Sequence, residues 1–252
     1  MALLKCYFPS DALLLKTSMT VILPDLAGAM KVEKRDHYPT LYLLHGLSDD
    51  DTMWLRRTNI ERYASAYGLA VVIPQVHRSF YMDMAYGNKY WTFLSEELPE
   101  IARAYFPLSD KREENFVAGL SMGGYGALKW AFRKPEQFAA VASMSGVVDI
   151  INIKNIPEVP LDDYQLIFGN QPINGTENDL FYLLKQLDKK DTMKPKVFQC
   201  CGTEDFLYND NVKFRDACQQ ANLDFTYQEE KGTHDWDYWD KKIQDVLAWL
   251  PL

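Results

Sequence analysis

The sequence predicts one α/β domain, residues 1–252, built on a doubly wound, mostly parallel sheet with helices on both faces. Short apolar runs that end at glycine alternate with segments of helical period, the order that lays parallel strands side by side beneath crossover helices. A hydrophobic content of 47% over 252 residues is ample for a sizeable core, and no composition break or internal repeat marks a second domain. The run NFVAGLSMGGYGALKW passes from strand-like to helical spacing across one serine set between glycines.

After Lys16, TSMTVILPD alternates like an antiparallel strand, and beyond a polar turn PTLYLLHG reads as a strand buried on both faces. Residues 54–67 have helical spacing, LAVVIPQV is a second buried strand, and residues 91–105 make a second helix. The strand holding Phe116 and Val117, with the helix after it, comes next. FAAVASMSG, KPKVFQCCG and DFTYQEEKG are further strands ending at glycine, with helices at 211–221 and 236–250. Residues 147–190 are too long for a simple connection and hold a helical piece at 180–187, so they read as a cap-like insertion over one face. Ligands of such sheets gather at the carboxyl ends of the strands, which makes residues just past strand ends the candidates for chemistry.

Composition excludes several classes of partner. A formal charge of −8 argues against non-specific nucleic-acid binding, which needs a basic face. The opening MALLKCYFPSDALLLK lacks the continuous apolar core of a signal peptide, and no run is long enough to cross a membrane. Cys6, Cys200, Cys201 and Cys218 have no disulfide-framework spacing, and the adjacent pair would alternate faces of a strand. A reduced, cytoplasmic protein without a membrane partner is expected. Neither C-x-x-C nor H-E-x-x-H occurs, so no metal site is expected. The oligomeric state stays open, a homo-oligomer included.

Gly119-Leu120-Ser121-Met122-Gly123 matches G-x-S-x-G, a sharp strand-to-helix turn that lifts a serine hydroxyl above the sheet edge. Its partners are sought downstream in the order acid, then histidine. KPKVFQCCG runs into Thr203-Glu204-Asp205, and Asp205 is favoured over Glu204 because a tight turn after Gly202 returns its carboxylate inward. Of four histidines, His234 lies between the last strand and the last helix, at the right end of the sheet. The N–H groups of Leu47, freed by the bend at Gly46, and of Met122, first in the helix, are the expected oxyanion donors. His45 reads as a buried, hydrogen-bonded loop residue and Asp49 to Asp51 as a solvated acidic loop. Phe80, Tyr81, Tyr86, Tyr90 and Trp91 make an aromatic loop, read equally well as core seal or as substrate-pocket wall.

With HGLSDDDTMW, GLSMGGYGA, GTEDFLY and GTHDWDYWD in this order, the chain resembles the esterase D-like α/β-hydrolases, closest to the tributyrin-esterase branch. The resemblance spans nearly the whole chain. It implies hydrolysis of carboxylic esters without a cofactor, with small-molecule substrates carrying acetyl to butyryl groups and acetylated sugars among them. It also implies Ser121, Asp205 and His234 as a triad with Leu47 and Met122 as oxyanion donors. S-formylglutathione hydrolases of this superfamily typically carry Thr-Cys after the HGL stretch, where Ser48-Asp49 stands here. Feruloyl esterases and mycolyltransferases share the scaffold, the transferases usually being exported. A hydrolase-shaped binding protein is the non-enzymatic alternative, though such proteins commonly lose a triad member.

Overall fold

The computed structural model describes residues 1–24, 36–156, 159–189 and 193–252. The polar turn expected before Pro39 falls mostly on residues 25–35, outside the described residues. Strands β1 (Ala2–Ser10), β2 (Leu15–Leu23), β3 (Thr40–Leu44), β4 (Ala70–Pro74), β5 (Asn115–Leu120), β6 (Ala140–Met144), β7 (Lys196–Gly202) and β8 (Phe225–Glu230) form one sheet. Its order is β1-β2-β4-β3-β5-β6-β7-β8. From β4 to β8 neighbours run parallel, while β1 and β2 add an antiparallel edge.

Alternate residues of the central strands enter two separate cores, which is why these runs read as apolar without a break. Tyr42, Leu44, Val72, Val117, Val141 and Val197 face one core, which includes residues of α4 (Leu98–Tyr105), α5 (Met122–Arg133), α7 (Leu180–Asp188) and α8 (Tyr208–Gln220). Leu41, Leu43, Val71, Phe116, Ala118 and Phe198 face the other, with residues of α1 (Met53–Arg57), α2 (Ile60–Ser65) and α9 (Trp236–Trp249). A charged side chain at any of these strand positions would bury an unpaired ion.

The structure departs from the sequence reading at several elements. β1 is an additional edge strand: Leu4, Cys6 and Phe8 lie on its covered face, but apolar Leu3 and Tyr7 on the exposed face mask the alternation. The helix expected over 54–67 is two helices, because Thr58 is extended and its hydroxyl serves both ends: it donates to Trp54 O at 2.6 Å and accepts from Ile60 N at 3.1 Å. The helix expected over 91–105 begins as α3 (Tyr90–Thr92), widens into a π turn over Phe93–Glu97 and resumes as α4. Pro99 explains the widening, since it has no N–H for the carbonyl of Ser95, which accepts instead from Gln137 Nε2 at 3.4 Å. Within 147–190 the structure adds α6 (Leu161–Phe168), preceded by a 3₁₀ turn at Ile150–Asn155.

The chain leaves β3 toward β4 on one side and leaves β5 toward β6 on the other. The carboxyl ends of β3 and β5 therefore flank the point where winding reverses, where an open α/β sheet leaves a crevice. His45-Gly46-Leu47 follows β3 and Ser121 follows β5, so the topology alone brings them together.

Candidate active site

Ser121 occupies φ 53° and ψ −118°, a conformation costly for an L residue and held by what surrounds it. The turn is so tight that a Cβ on Gly119 would stand 2.3 Å from Gly123 O, and one on Gly123 would stand 2.4 Å from Leu44 O. Only hydrogen fits at either place. Ser121 N donates to Met144 O at 3.0 Å and its carbonyl accepts from Val147 N at 3.1 Å, tying the turn to the end of β6.

His234 Nε2 lies 2.9 Å from Ser121 Oγ, and His234 Nδ1 lies 2.9 Å from Asp205 Oδ2. The Asp205 carboxylate is fully buried, and its other oxygen accepts from Leu207 N at 2.8 Å, so no water is needed to satisfy it. Glu204 points outward, 53% exposed, toward Lys231. The neighbouring Asp235 caps α9 by accepting from Tyr238 N at 3.0 Å, which anchors the loop just after His234. Phe206 and Trp239 bracket the imidazole, with ring centroids at 4.5 and 4.9 Å.

His45 is buried, donating from Nδ1 to Gly46 O at 2.8 Å and accepting at Nε2 from Val76 N at 3.2 Å. Burial holds its pKa below the ordinary histidine value, which suits this neutral tautomer. The amides of Leu47 and Met122 donate to no protein acceptor among the described residues. Met122 is the first residue of α5, where no intrahelical acceptor exists.

The loop Asp49 to Asp51 is engaged rather than solvated. Asp49 accepts from Gly46 N at 3.2 Å, Asp50 accepts from Thr52 N at 2.8 Å, and buried Asp51 bonds Lys5 and the Ser18 hydroxyl. Asp49 and Asp50 have local donors and Asp51 has donors on β1 and β2, none of which charge patterning alone reveals. Among the described residues no group of His, Cys, Asp or Glu could hold a metal ion, and the four cysteines are free thiols. Burial pushes the Cys200 thiol up to about 12. No helix among the described residues is long and apolar enough to cross a membrane.

Ser121 and His234 open into a cavity of about 630 Å3, also lined by Leu47, Phe80, Val147, Phe206, Trp236 and Trp239. Of the aromatic residues expected to form its wall, only Phe80 reaches it. Tyr81 is buried beneath the site, Tyr86 is 62% exposed beside an adjoining hollow, and Trp91 lies against Arg133 and Lys129. Trp91 is drawn there because its ring meets the Arg133 guanidinium, with Cζ 4.1 Å from the ring centroid and the buried Lys129 Nζ at 4.8 Å. Phe206, Trp236 and Trp239 were missed as walls although they flank Asp205 and His234 in sequence. Their proximity to those residues was the available signal.

Lys129 was also missed: it lies in α5, fully buried, with Nζ 3.0 Å from Tyr81 O and 2.9 Å from Met82 Sδ. Burial, with Arg133 adding to it, holds its ammonium well below the ordinary lysine pKa of 10.5. The unfolded chain keeps the ordinary value and so binds the extra proton between the two pKa values, which means that this residue's contribution to stability rises with pH. The melting temperature of the wild type is therefore expected to climb relative to that of Lys129→Met as pH is raised from neutral toward 10.5. Thermal unfolding of both across this range checks it, and a constant difference contradicts it.

Sheet order, the turn at Ser121 and the crevice above it together define the α/β-hydrolase fold. The Esterase family model matches residues 10–250, and the chain belongs to that family. It is 32% identical over 261 residues to an acetyl esterase of Caldicellulosiruptor saccharolyticus, covering 99% of this chain and 98% of the relative. FphF, a fluorophosphonate-binding serine hydrolase of Staphylococcus aureus solved with substrate bound, matches with a TM-score of 0.91 at 37% identity, covering 99% of this chain and 98% of that one. The S-formylglutathione hydrolase FrmB of Staphylococcus aureus matches with a TM-score of 0.89 at 37% identity and the same coverage. Ester hydrolysis is the class of chemistry to which the chain belongs.

Proposed function

We propose that the chain is a serine carboxylesterase that works through an acyl-enzyme on Ser121 and prefers acetyl to butyryl esters, as in the tributyrin-esterase branch. The observation that carries the reading is the unbroken hydrogen-bond chain Ser121–His234–Asp205 at the floor of an apolar cavity. His234 Nε2 takes the proton as Ser121 Oγ bonds to the ester carbonyl carbon. The resulting oxyanion is held by the Leu47 and Met122 amides. Collapse breaks the bond to the alcohol oxygen, which receives the proton from His234, and a water then repeats the sequence to release the acid. Asp205 keeps Nδ1–H facing it and balances the imidazolium. Residues 147–190 act as a cap, contributing Val147, Ile156 and Val159 to the cavity.

Short acyl preference is supported by the relative named an acetyl esterase and by the bulk of Phe206, Trp236 and Trp239 at the cavity wall. Each methylene that finds an apolar groove adds about 0.8 kcal/mol, so an open groove would favour long chains. Measured kcat/KM over p-nitrophenyl esters is expected to peak between acetate and butyrate and to fall by octanoate. A steady climb to decanoate contradicts the short-acyl reading. Acetylated sugars and S-formylglutathione belong in the same panel: turnover of the thioester well above that of the acetyl esters favours the S-formylglutathione hydrolase alternative.

A further inference from the structure

The geometry points to Tyr81 as the positioning residue for the Leu47 oxyanion donor, with Lys129 as its anchor; this rests on the esterase reading above. Two consecutive peptide units lead to that donor. In the first, His45 O accepts from the Tyr81 hydroxyl at 2.9 Å while Gly46 N donates to Asp49 Oδ2 at 3.2 Å. In the second, Gly46 O accepts from His45 Nδ1 at 2.8 Å and from Asp49 N at 3.3 Å. The one group left over is the N–H of Leu47. Because each peptide is planar, with N–H and C=O opposed, fixing the first plane at both ends and the second at its carbonyl leaves that N–H one direction. The bonds accepted by Gly46 O also polarise its peptide and strengthen the donor at the other end.

Tyr81 is built for this contact. Its ring is fully buried, yet its hydroxyl reaches a carbonyl 36 residues earlier in the chain. A phenylalanine would fill the same space without that bond. Both Phe80 and Tyr81 have positive φ, 49° and 53°, a strained pair that persists only where neighbours over-determine it. Those neighbours are present. Tyr81 N donates to Ser79 Oγ at 3.1 Å, its carbonyl accepts from Lys129 Nζ at 3.0 Å, and its ring lies so close to α5 that a Cβ on Gly126 would stand 2.5 Å from Cδ2. The buried lysine thus holds the strained loop, and the loop holds the phenol under the donor turn.

Tyr81→Phe tests the assignment. The enzyme is first titrated with a fluorophosphonate, so that rates are counted per reactive serine; a wild type that does not titrate reports failure of the esterase reading, not of this one. The variant is then assayed with p-nitrophenyl acetate and with a trifluoromethyl ketone, to whose carbonyl carbon Ser121 Oγ adds while the proton passes to His234. Loosening the donor is expected to lower kcat about tenfold with KM within about twofold, and to weaken the ketone by the same factor as kcat/KM. Lys129→Met, which keeps the phenol, is expected to lower kcat and ketone affinity in the same proportion. Unchanged kcat in Tyr81→Phe, a loss confined to KM, or undiminished ketone affinity beside a lowered kcat would overturn the assignment.

Discussion

Replacing Ser121 by alanine is expected to abolish fluorophosphonate labelling and to lower ester turnover by about three decades or more, leaving the fold intact. The oxygen removed is the one 2.9 Å from His234 Nε2, and among the described residues the other hydroxyl lining that cavity is Ser48, which follows the donor turn. Stability should change little. Alanine and serine meet the same strain at φ 53°, and the backbone ties to Met144 O and Val147 N do not use the side chain. Turnover and thermal unfolding measured on one preparation decide the matter. Retention of a tenth of wild-type activity would remove Ser121 from the mechanism.

Asp205→Asn is expected to cost about three to four decades in kcat, whereas Glu204→Gln should stay within about threefold of wild type. An amide at position 205 can turn an N–H toward His234 Nδ1, favouring the tautomer whose Nε2 carries the proton and cannot accept one from Ser121. Glu204 lies next in sequence but points to solvent toward Lys231, so its neutralisation disturbs only a weak surface pair. Equal, modest losses in both variants would mean that the imidazole is held by something other than Asp205.

The elements legible in the sequence are those whose signal is local. Strands β3 to β7 announced themselves as apolar runs because both their faces are buried. Ser121 was marked by two glycines whose places admit no side chain. Chain order pointed to Asp205 and His234, since each follows a strand of one parallel sheet, and the structure sets His234 Nε2 2.9 Å from Ser121 Oγ and Asp205 Oδ2 2.9 Å from His234 Nδ1. What escaped depends on contacts distant in sequence. β1 is held by its pairing with β2, and its alternation is masked by the apolar Leu3 and Tyr7 on its exposed face. Tyr81 and Phe80 are neighbours in one aromatic loop, yet Lys129 and Gly126 on α5 hold the first beneath the site while the second lines the cavity. Nothing local in the sequence marks Lys129 as buried; the packing around α5 does.

If Ser121 carries the acyl group during turnover, a covalent adduct of a serine-directed reagent maps to it. After brief incubation with a fluorophosphonate, digestion and fragment-ion mass spectrometry are expected to place the phosphonyl group on Ser121 alone, in proportion to the activity lost. An adduct on another residue, or full loss of activity with Ser121 unmodified, would contradict that role for Ser121.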